Sequence, residues 1–541
     1  MKHWCNEDVY LKSLTEGDTH TFSFANIARV MDKTSLFLLP STIPLLAIFL
    51  ILLYKWYNSA TTTNKTNKTP SPPSPSKLPI IGNFHQLGFH THRSLYTLSQ
   101  RHGPLMLLHF GRVPVLIVSS SEAAREIMKT HDLTFSDRPK SPSVEKLLYN
   151  YNDVAFAPYG EYWRQVKSIC VLHLLSNKRV RSFRSVREEE TTSMISHIEQ
   201  SSSSSSSSVL NLSEMFVRLT NDVVCRVALG RKYSGRDGER NFKQLLGELG
   251  ELVGTIDLGD YIPWLSWLSH VNGFKAKLDK VAKQLDDFID GVIQEHMNYN
   301  SKSGDDEQKD FVDVLLWIQK GNLTGFPIDT VTIKALILDM FVGGTDTTYT
   351  VLEWAMTELL RHPRVLGKLQ TEVRGIVGNG AHITEDDLVE MHYLKAVIKE
   401  TLRLHPPVPL LVPRVSTQDV EISGYSIRAK TQVLINAWQI GRDPKLYDKP
   451  EEFEPERFLN SGIDYKGTDF QLIPFGAGRR VCPGIQFAIA VNEIALASIV
   501  YKFDWKMPGG ASGEDLDTAE STGLTIHRKY PLEAVAIPHS C

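Results

Sequence analysis

The run Pro474-Phe475-Gly476-Ala477-Gly478-Arg479-Arg480-Val481-Cys482-Pro483-Gly484 surrounds one cysteine with the chemistry that a thiolate bound to iron needs. Small residues at Gly476, Ala477, Gly478 and Gly484 let backbone amides approach the sulfur, and Phe475 supplies an apolar face. Arg480 supplies positive charge, which favours a thiolate over a thiol. A lone cysteine is ordinarily a small buried hydrophobe, but the spacing F-x-x-G-x-R-x-C-x-G is too specific for that reading. Cys5, Cys170, Cys225 and Cys541 lie far apart, with no C-x-x-C pair and no adjacent His cluster. Neither a disulfide framework nor a zinc site is expected, and the body of the chain belongs in a reducing compartment.

Three further constellations stand out. Val331 to Arg361 reads as one long helix ending before Pro363, yet its middle is Gly343-Gly344-Thr345-Asp346-Thr347-Thr348. Those residues disfavour the helix by roughly 4 kcal/mol relative to alanine, and a local preference that fights the global pattern often marks a functional site. Glu400 and Arg403 sit three apart on one helical face, where they can pair, and Pro455-Glu456-Arg457-Phe458 follows. Trp163-Arg164-Gln165-Val166-Lys167 places an aromatic and two basic groups on adjacent turns.

In order and spacing these motifs resemble those of the cytochrome P450 superfamily, over about residues 70 to 540, and look most like its plant microsomal group containing family 71. The resemblance implies a mainly α fold, with a large helical haem domain and a small β-rich region, plus one N-terminal membrane anchor helix. It makes Cys482 the axial ligand of haem b iron, in a loop shaped by Phe475, Gly478, Arg480 and Gly484. Asp346 and Thr347 become the proton-delivery residues, acting through water. Glu400, Arg403 and Arg457 become a buried network that locks the cysteine loop. Trp163, Arg164, Lys167, Arg414 and Arg480 become candidates for the haem propionates. Most relatives carry Arg where this chain has Lys167, which binds as a point charge without the guanidinium fork.

The implied function is a haem-thiolate monooxygenase that inserts one oxygen atom from O2 into a small hydrophobic substrate, a plant specialised metabolite. Electrons come from NADPH through NADPH–cytochrome P450 reductase, because Gly476-x-Gly478 lacks the third glycine and the strand-to-helix setting of a dinucleotide fingerprint. The basic stretch Lys167, Lys178, Arg179, Arg181 and Arg184 is the expected docking face for that acidic flavoprotein. Substrate contacts are expected from 141–155, from near 248–262, from the residues before Gly343, from Val408 to Val412 and from Gly523 to Thr525. Two other uses of such a chain are non-oxygenative chemistry, such as aldoxime dehydration, and a non-enzymatic haem sensor or electron carrier.

The elements that must position these groups follow from composition and periodicity. Leu36 to Leu53 is eighteen uncharged residues with Tyr54, Lys55, Trp56 and Tyr57 behind it, which suits a signal anchor over 34–57. Lysines on its C-terminal side favour a single-pass endoplasmic reticulum protein with a cytosolic catalytic domain. Residues 1–33 are polar and aperiodic, read as a disordered extension, and Met31 is the expected working initiator. Residues 58–79 form a Lys/Pro-rich linker, stiffened by Thr69 to Pro79, and 80–541 the catalytic domain. Leu105 to Val118 reads as a β-hairpin turning at Gly111 to Pro114. The eight serines Ser201 to Ser208 read as a disordered surface loop. Apolar residues at helical spacing, such as Leu245, Leu249 and Leu252, mark the region from Val209 to Asn298. A net charge of −3 over 541 residues suggests no nucleic-acid partner.

Overall fold

The computed structural model describes residues 47–48, 50–51, 69–204, 208–233, 237–255, 257–299, 309–321, 326–378 and 380–539, with the side chains of 204, 237–243 and 299 excepted. Two compact units divide at Lys68 and Thr69. Of the expected anchor only Ala47, Ile48, Leu50 and Ile51 are described, all helical with exposed side chains. The rest of the anchor, the 1–33 extension and most of the linker lie outside the described residues.

From Thr69 onward the chain is mainly helical, with three small sheets. After helix α1 (Thr91–His102), strands β1 (Leu105–Phe110) and β2 (Val113–Val118) form the expected antiparallel hairpin, with Leu105 opposite Val118 and Phe110 opposite Val113. Its turn needs Gly111: φ is +55°, and a Cβ there would sit 2.4 Å from the Tyr261 carbonyl. The proline-rich approach docks on this hairpin, with Pro72 and Pro75 buried and the Pro73 carbonyl accepting from the Leu107 amide.

The helices that build the site follow in order: α2 (Glu161–Ile169), α3 (Arg184–Ser204), α4 (Leu212–Leu229), α5 (Asp237–Gly254), α6 (Phe274–Tyr299), α7 (Phe311–Gly321), α8 (Thr330–Phe341), α9 (Thr347–Arg361), α10 (Pro363–Val377) and α11 (His392–Leu404). Their apolar faces share one large core with α12 (Ile485–Lys502). Among the described residues α12 is the one helix long and apolar enough to cross a membrane, but it is mostly buried, as a helix apolar on all sides must be.

Two expectations are corrected. Ser201–Ser204 are not loop but the last turn of α3, where the hydroxyls of Ser201, Ser202 and Ser203 donate back to carbonyls of His197 and Glu199. Back-bonding satisfies the side chains that composition alone assigns to coil; 205–207 lie outside the described residues. The long helix over Val331 to Arg361 is also not regular, because Val342–Asp346 forms a π-helical turn joining α8 to α9. Such a bulge is how a helix absorbs a run of poor helix formers, and it is frequent at functional sites.

Candidate active site

The cysteine loop is held from both ends. Cys482 donates its amide to Phe475 O at 3.0 Å, and the Gly484 amide donates to Cys482 Sγ at 3.3 Å. Gly478 (φ +69°) passes so close to the preceding wall that a Cβ would lie 2.1 Å from Met128 O. Asp132 clamps the loop there by accepting from the Arg479 amide and pairing with its side chain at 3.1 Å. Phe475 packs edge-on against Tyr465. Burial pushes the Cys482 thiol up, and the Gly484 amide and Lys167 charge oppose it. Cys170 and Cys225 are buried inside the apolar core, and burial drives the Cys170 thiol far up, so neither offers an accessible sulfur.

A buried group of guanidiniums stands beside this loop. Arg480 donates to the carbonyls of Ser136, Val154 and Ala157 and lies over the Trp163 ring, 4.2 Å from its centroid. Arg414 donates to Ala477 O through Nη2, while its buried Nη1 has no hydrogen-bond partner and stands 3.6 Å from Asp132 Oδ1. Burial brings Arg414 and Arg480 down to about 10, the Arg414 charge adding to the effect on Arg480. Lys167 donates to Arg479 O, and burial with the Arg480 charge brings it down to about 8. Trp163 gives its indole N–H to Val154 O at 3.0 Å, and Arg164 points to solvent on the outer face of α2.

Glu400 and Arg403 are fully buried, as a spacing of three residues on a helix alone did not require. Glu400 accepts from Arg403 Nε and Nη2 at 2.7 Å each, from Arg457 Nε at 3.0 Å and from the Glu454 amide at 2.8 Å. Arg403 also donates to the carbonyls of Gly441, Pro450 and Glu452. The segment so pinned carries Tyr447, whose hydroxyl donates to Gln471 O just ahead of the cysteine loop.

On the central helix, Gly343 is exposed, and a Cβ there would meet nothing within 4 Å. Thr347 Oγ1 donates to Gly343 O at 2.6 Å, and Asp346 is half-buried beside Tyr349, whose hydroxyl burial pushes far up with the Asp346 charge adding to it. Three of the five segments expected to touch substrate meet around a cavity of about 680 Å³: residues of α5 from Leu246 to Gly254 with Thr255 just after it, the helix residues Phe341 and Val342, and Thr522 to Thr525. Residues 141–155 and Val408 to Val412 do not line it.

Comparison with known proteins shows the family of the chain. A family model described as Cytochrome P450 matches residues 72–532. The chain belongs to the cytochrome P450 family. It is 75% identical over 517 residues to cytochrome P450 736A117 of Prunus mume, covering 95% of this chain and 99% of that one. It is 54% identical over 463 residues to cytochrome P450 71A25 of Arabidopsis thaliana (85% and 92%), and 53% identical over 499 residues to norfluorocurarine oxidase of a Strychnos species (91% and 96%). A solved zebrafish P450 with abiraterone superposes with a TM-score of 0.70 at 26% identity, covering 84% of this chain and all of that one. This P450 is therefore a plant haem-thiolate monooxygenase of the family 71 group, with the mainly helical P450 fold. The sensor and electron-carrier reading falls away with that finding.

The residues present fit haem b. Cys482 would offer the sulfur ligand, Gly343 leaves room on the central helix, and the buried Nη1 of Arg414, without a hydrogen-bond partner and close enough for its charge to act on Arg480, is what an anionic propionate would neutralise. Two contributors escaped the sequence reading. Arg138 is buried and donates to the carbonyls of Ala155, Val412 and Pro413, tying the 141–155 approach to the strand bearing Arg414. Asp339 accepts from the Val154 amide at 2.6 Å, and burial with nearby Asp153 raises its carboxyl well up. The signal for Asp339 was present: it is a lone acid inside the otherwise apolar run Ala335 to Phe341.

Proposed function

We propose that this P450 is a single-pass endoplasmic reticulum enzyme that oxygenates a small hydrophobic specialised metabolite, with NADPH electrons arriving through a separate reductase. Haem b bound through Cys482 supplies the oxygen chemistry. The chain's own residues orient the substrate, exclude bulk water and handle protons. Thr347 Oγ1, held on Gly343 O by the π-helical turn, is placed to pass a proton into the open space over Gly343, and Asp346, one residue back, to restore it through water. This juxtaposition is the observation that favours oxygenation over non-oxygenative chemistry, which has no use for such a relay.

The substrate class is supported by the names of similar proteins: the Strychnos relative is called norfluorocurarine oxidase, and zebrafish P450 structures hold abiraterone and progesterone. Membrane residence is supported by exposed Ile80, Trp264, Trp267 and Val271, gathered by the hairpin turn: Gly111 donates to Ile81 O and Arg112 to Tyr261 O. The basic docking face is narrower than the sequence suggests, since Arg184 pairs with Glu188 and Asp386. Lys178 and Arg181 remain exposed, near exposed Val171 and Leu172.

The test uses yeast microsomes carrying this chain with a plant reductase, a hydrophobic compound library and labelled O2. One labelled oxygen atom should appear in product; product without label refutes oxygenation. Thr347→Ala should keep the thiolate-type carbon monoxide band but release peroxide in place of product, and Cys482→Ser should lose the band itself.

A further inference from the structure

Residues 153–159 form neither helix nor strand, and among the described residues none pairs its backbone with theirs. Side chains hold the segment instead. Its carbonyls accept from the groups beside the cysteine loop: Val154 O from the Trp163 indole at 3.0 Å and Arg480 Nη1 at 3.3 Å, Ala155 O from Arg138 Nε at 2.8 Å, and Ala157 O from Arg480 Nη2 at 2.6 Å. Its amides donate to carboxylates: Phe156 to Asp153 at 2.7 Å, Tyr159 to Asp137 at 3.1 Å and Val154 to Asp339 Oδ2 at 2.6 Å. Asp153 and Asp137 belong to the same stretch of chain, whereas Asp339 reaches across 185 residues from α8.

Thr332 stands seven residues before Asp339, on the same face of α8. Its hydroxyl shares a hydrogen bond at 3.2 Å with that of Tyr162, which donates to Asn152 O. The central helix therefore grips this strip of chain at two points. From Asp339 to the cysteine loop the path is short and polar: Asp339 takes the Val154 N–H, Val154 O takes Arg480, and Arg480 stands two residues before Cys482. One polarisable chain of hydrogen bonds thus runs through Val154, and each bond strengthens the next. Arg480 also lies over the Trp163 ring, 4.2 Å from its centroid, so a displaced Val154 would disturb both side chains.

We propose that Asp339 is a positioning residue of the haem site: by holding Val154 it sets Arg480 and Trp163 for the haem propionates, and it couples the helix that carries Gly343 and Thr347 to the loop that carries Cys482. The proposal rests on reading the Arg480 side as the propionate side.

The experiment is resonance Raman spectroscopy of the propionate bending band in full-length, detergent-solubilised holoenzyme, with the rate of haem transfer to excess apomyoglobin as a second readout. Asp339→Ala should shift the band in the same sense as Arg480→Lys and release haem about tenfold faster, the worth of one hydrogen bond. Asp339→Asn, which keeps an acceptor for the Val154 amide, should restore both readings. Leu338→Ala removes a buried neighbour on α8 and should lower stability to urea while leaving the band in place. If Asp339→Ala gives no holoenzyme, Asp339→Ser, whose shorter side chain withdraws the acceptor, is read the same way. A band and a transfer rate unchanged in Asp339→Ala, where Arg480→Lys moves both, overturn the proposal and leave the propionate reading standing. An unmoved band in Arg480→Lys overturns both together. A shift that Leu338→Ala reproduces, or that Asp339→Asn fails to restore, also overturns it.

Discussion

Replacing Glu400 by alanine removes one carboxylate and exposes how the cysteine loop is held. Four hydrogen bonds end on Glu400, three of them from the guanidiniums of Arg403 and Arg457. Glu400 and Arg403 are both wholly shielded from solvent, so in Glu400→Ala the Arg403 charge stays buried without its counter-ion. Charge-assisted bonds are worth about 1.5–3 kcal/mol each, but Arg403 keeps its three carbonyl partners, so the net loss falls near the 3–5 kcal/mol typical of breaking a buried pair. Against a total stability of about 5–15 kcal/mol, that is a large share. Arg364→Ala is the control, because its pair with Glu456 lies at the surface, where such contacts are worth about 0–1 kcal/mol. The assay is urea-induced loss of the thiolate-type carbon monoxide band in detergent-solubilised holoenzyme, since strain reaches Cys482 through Tyr447 and Gln471. Glu400→Ala should move the midpoint far below wild type and Arg364→Ala hardly at all. Equal midpoints for the two variants would show that the network does not hold the loop.

Gly478→Ala forces a Cβ to 2.1 Å from Met128 O at a positive φ, so it should cost several kcal/mol and lower holoenzyme yield; a yield equal to wild type would mean the loop can move away freely. Burial, with Glu385 adding to it, raises the Glu493 carboxyl to about 7, so the folded state binds its proton more tightly than the unfolded chain; that contribution is intact below pH 4.5 and is lost as pH climbs through 7. Glu493→Gln should therefore match wild type near pH 4.5 and exceed it by up to about 3 kcal/mol at pH 8; a constant difference across that range contradicts the assignment. Charge reversal at Lys178 and Arg181 should slow reductase-driven haem reduction, more so at low salt, and spare peroxide-driven turnover; unchanged reduction places the docking face elsewhere.

Local chemistry explains what was legible in the chain itself. The cysteine loop, the Gly343–Thr348 conflict and the hairpin at Gly111 are short-range patterns whose residue types admit few conformations, so family and fold class followed from them. The fate of Glu400 and Arg403 did not, because a pair three apart on a helix reads the same on a surface as in a core; only the carbonyls of Gly441, Pro450 and Glu452, arriving from a distant segment, make it buried. Ser201–Ser204 turned instead on local back-bonding, since the preceding turn of α3 itself supplies the acceptors and the composition of a serine run does not announce them. Arg138 and Asp339 act through partners far along the chain, at Val412 and Pro413 for one and Val154 for the other. The cavity of about 680 Å³ is another product of packing: its walls come from α4, α5, the central helix and the 522–525 loop, and an empty volume has no sequence. Residue type and spacing determine which chemistry this chain can do; long-range packing decides which groups are dry, charged and unpaired where that chemistry happens.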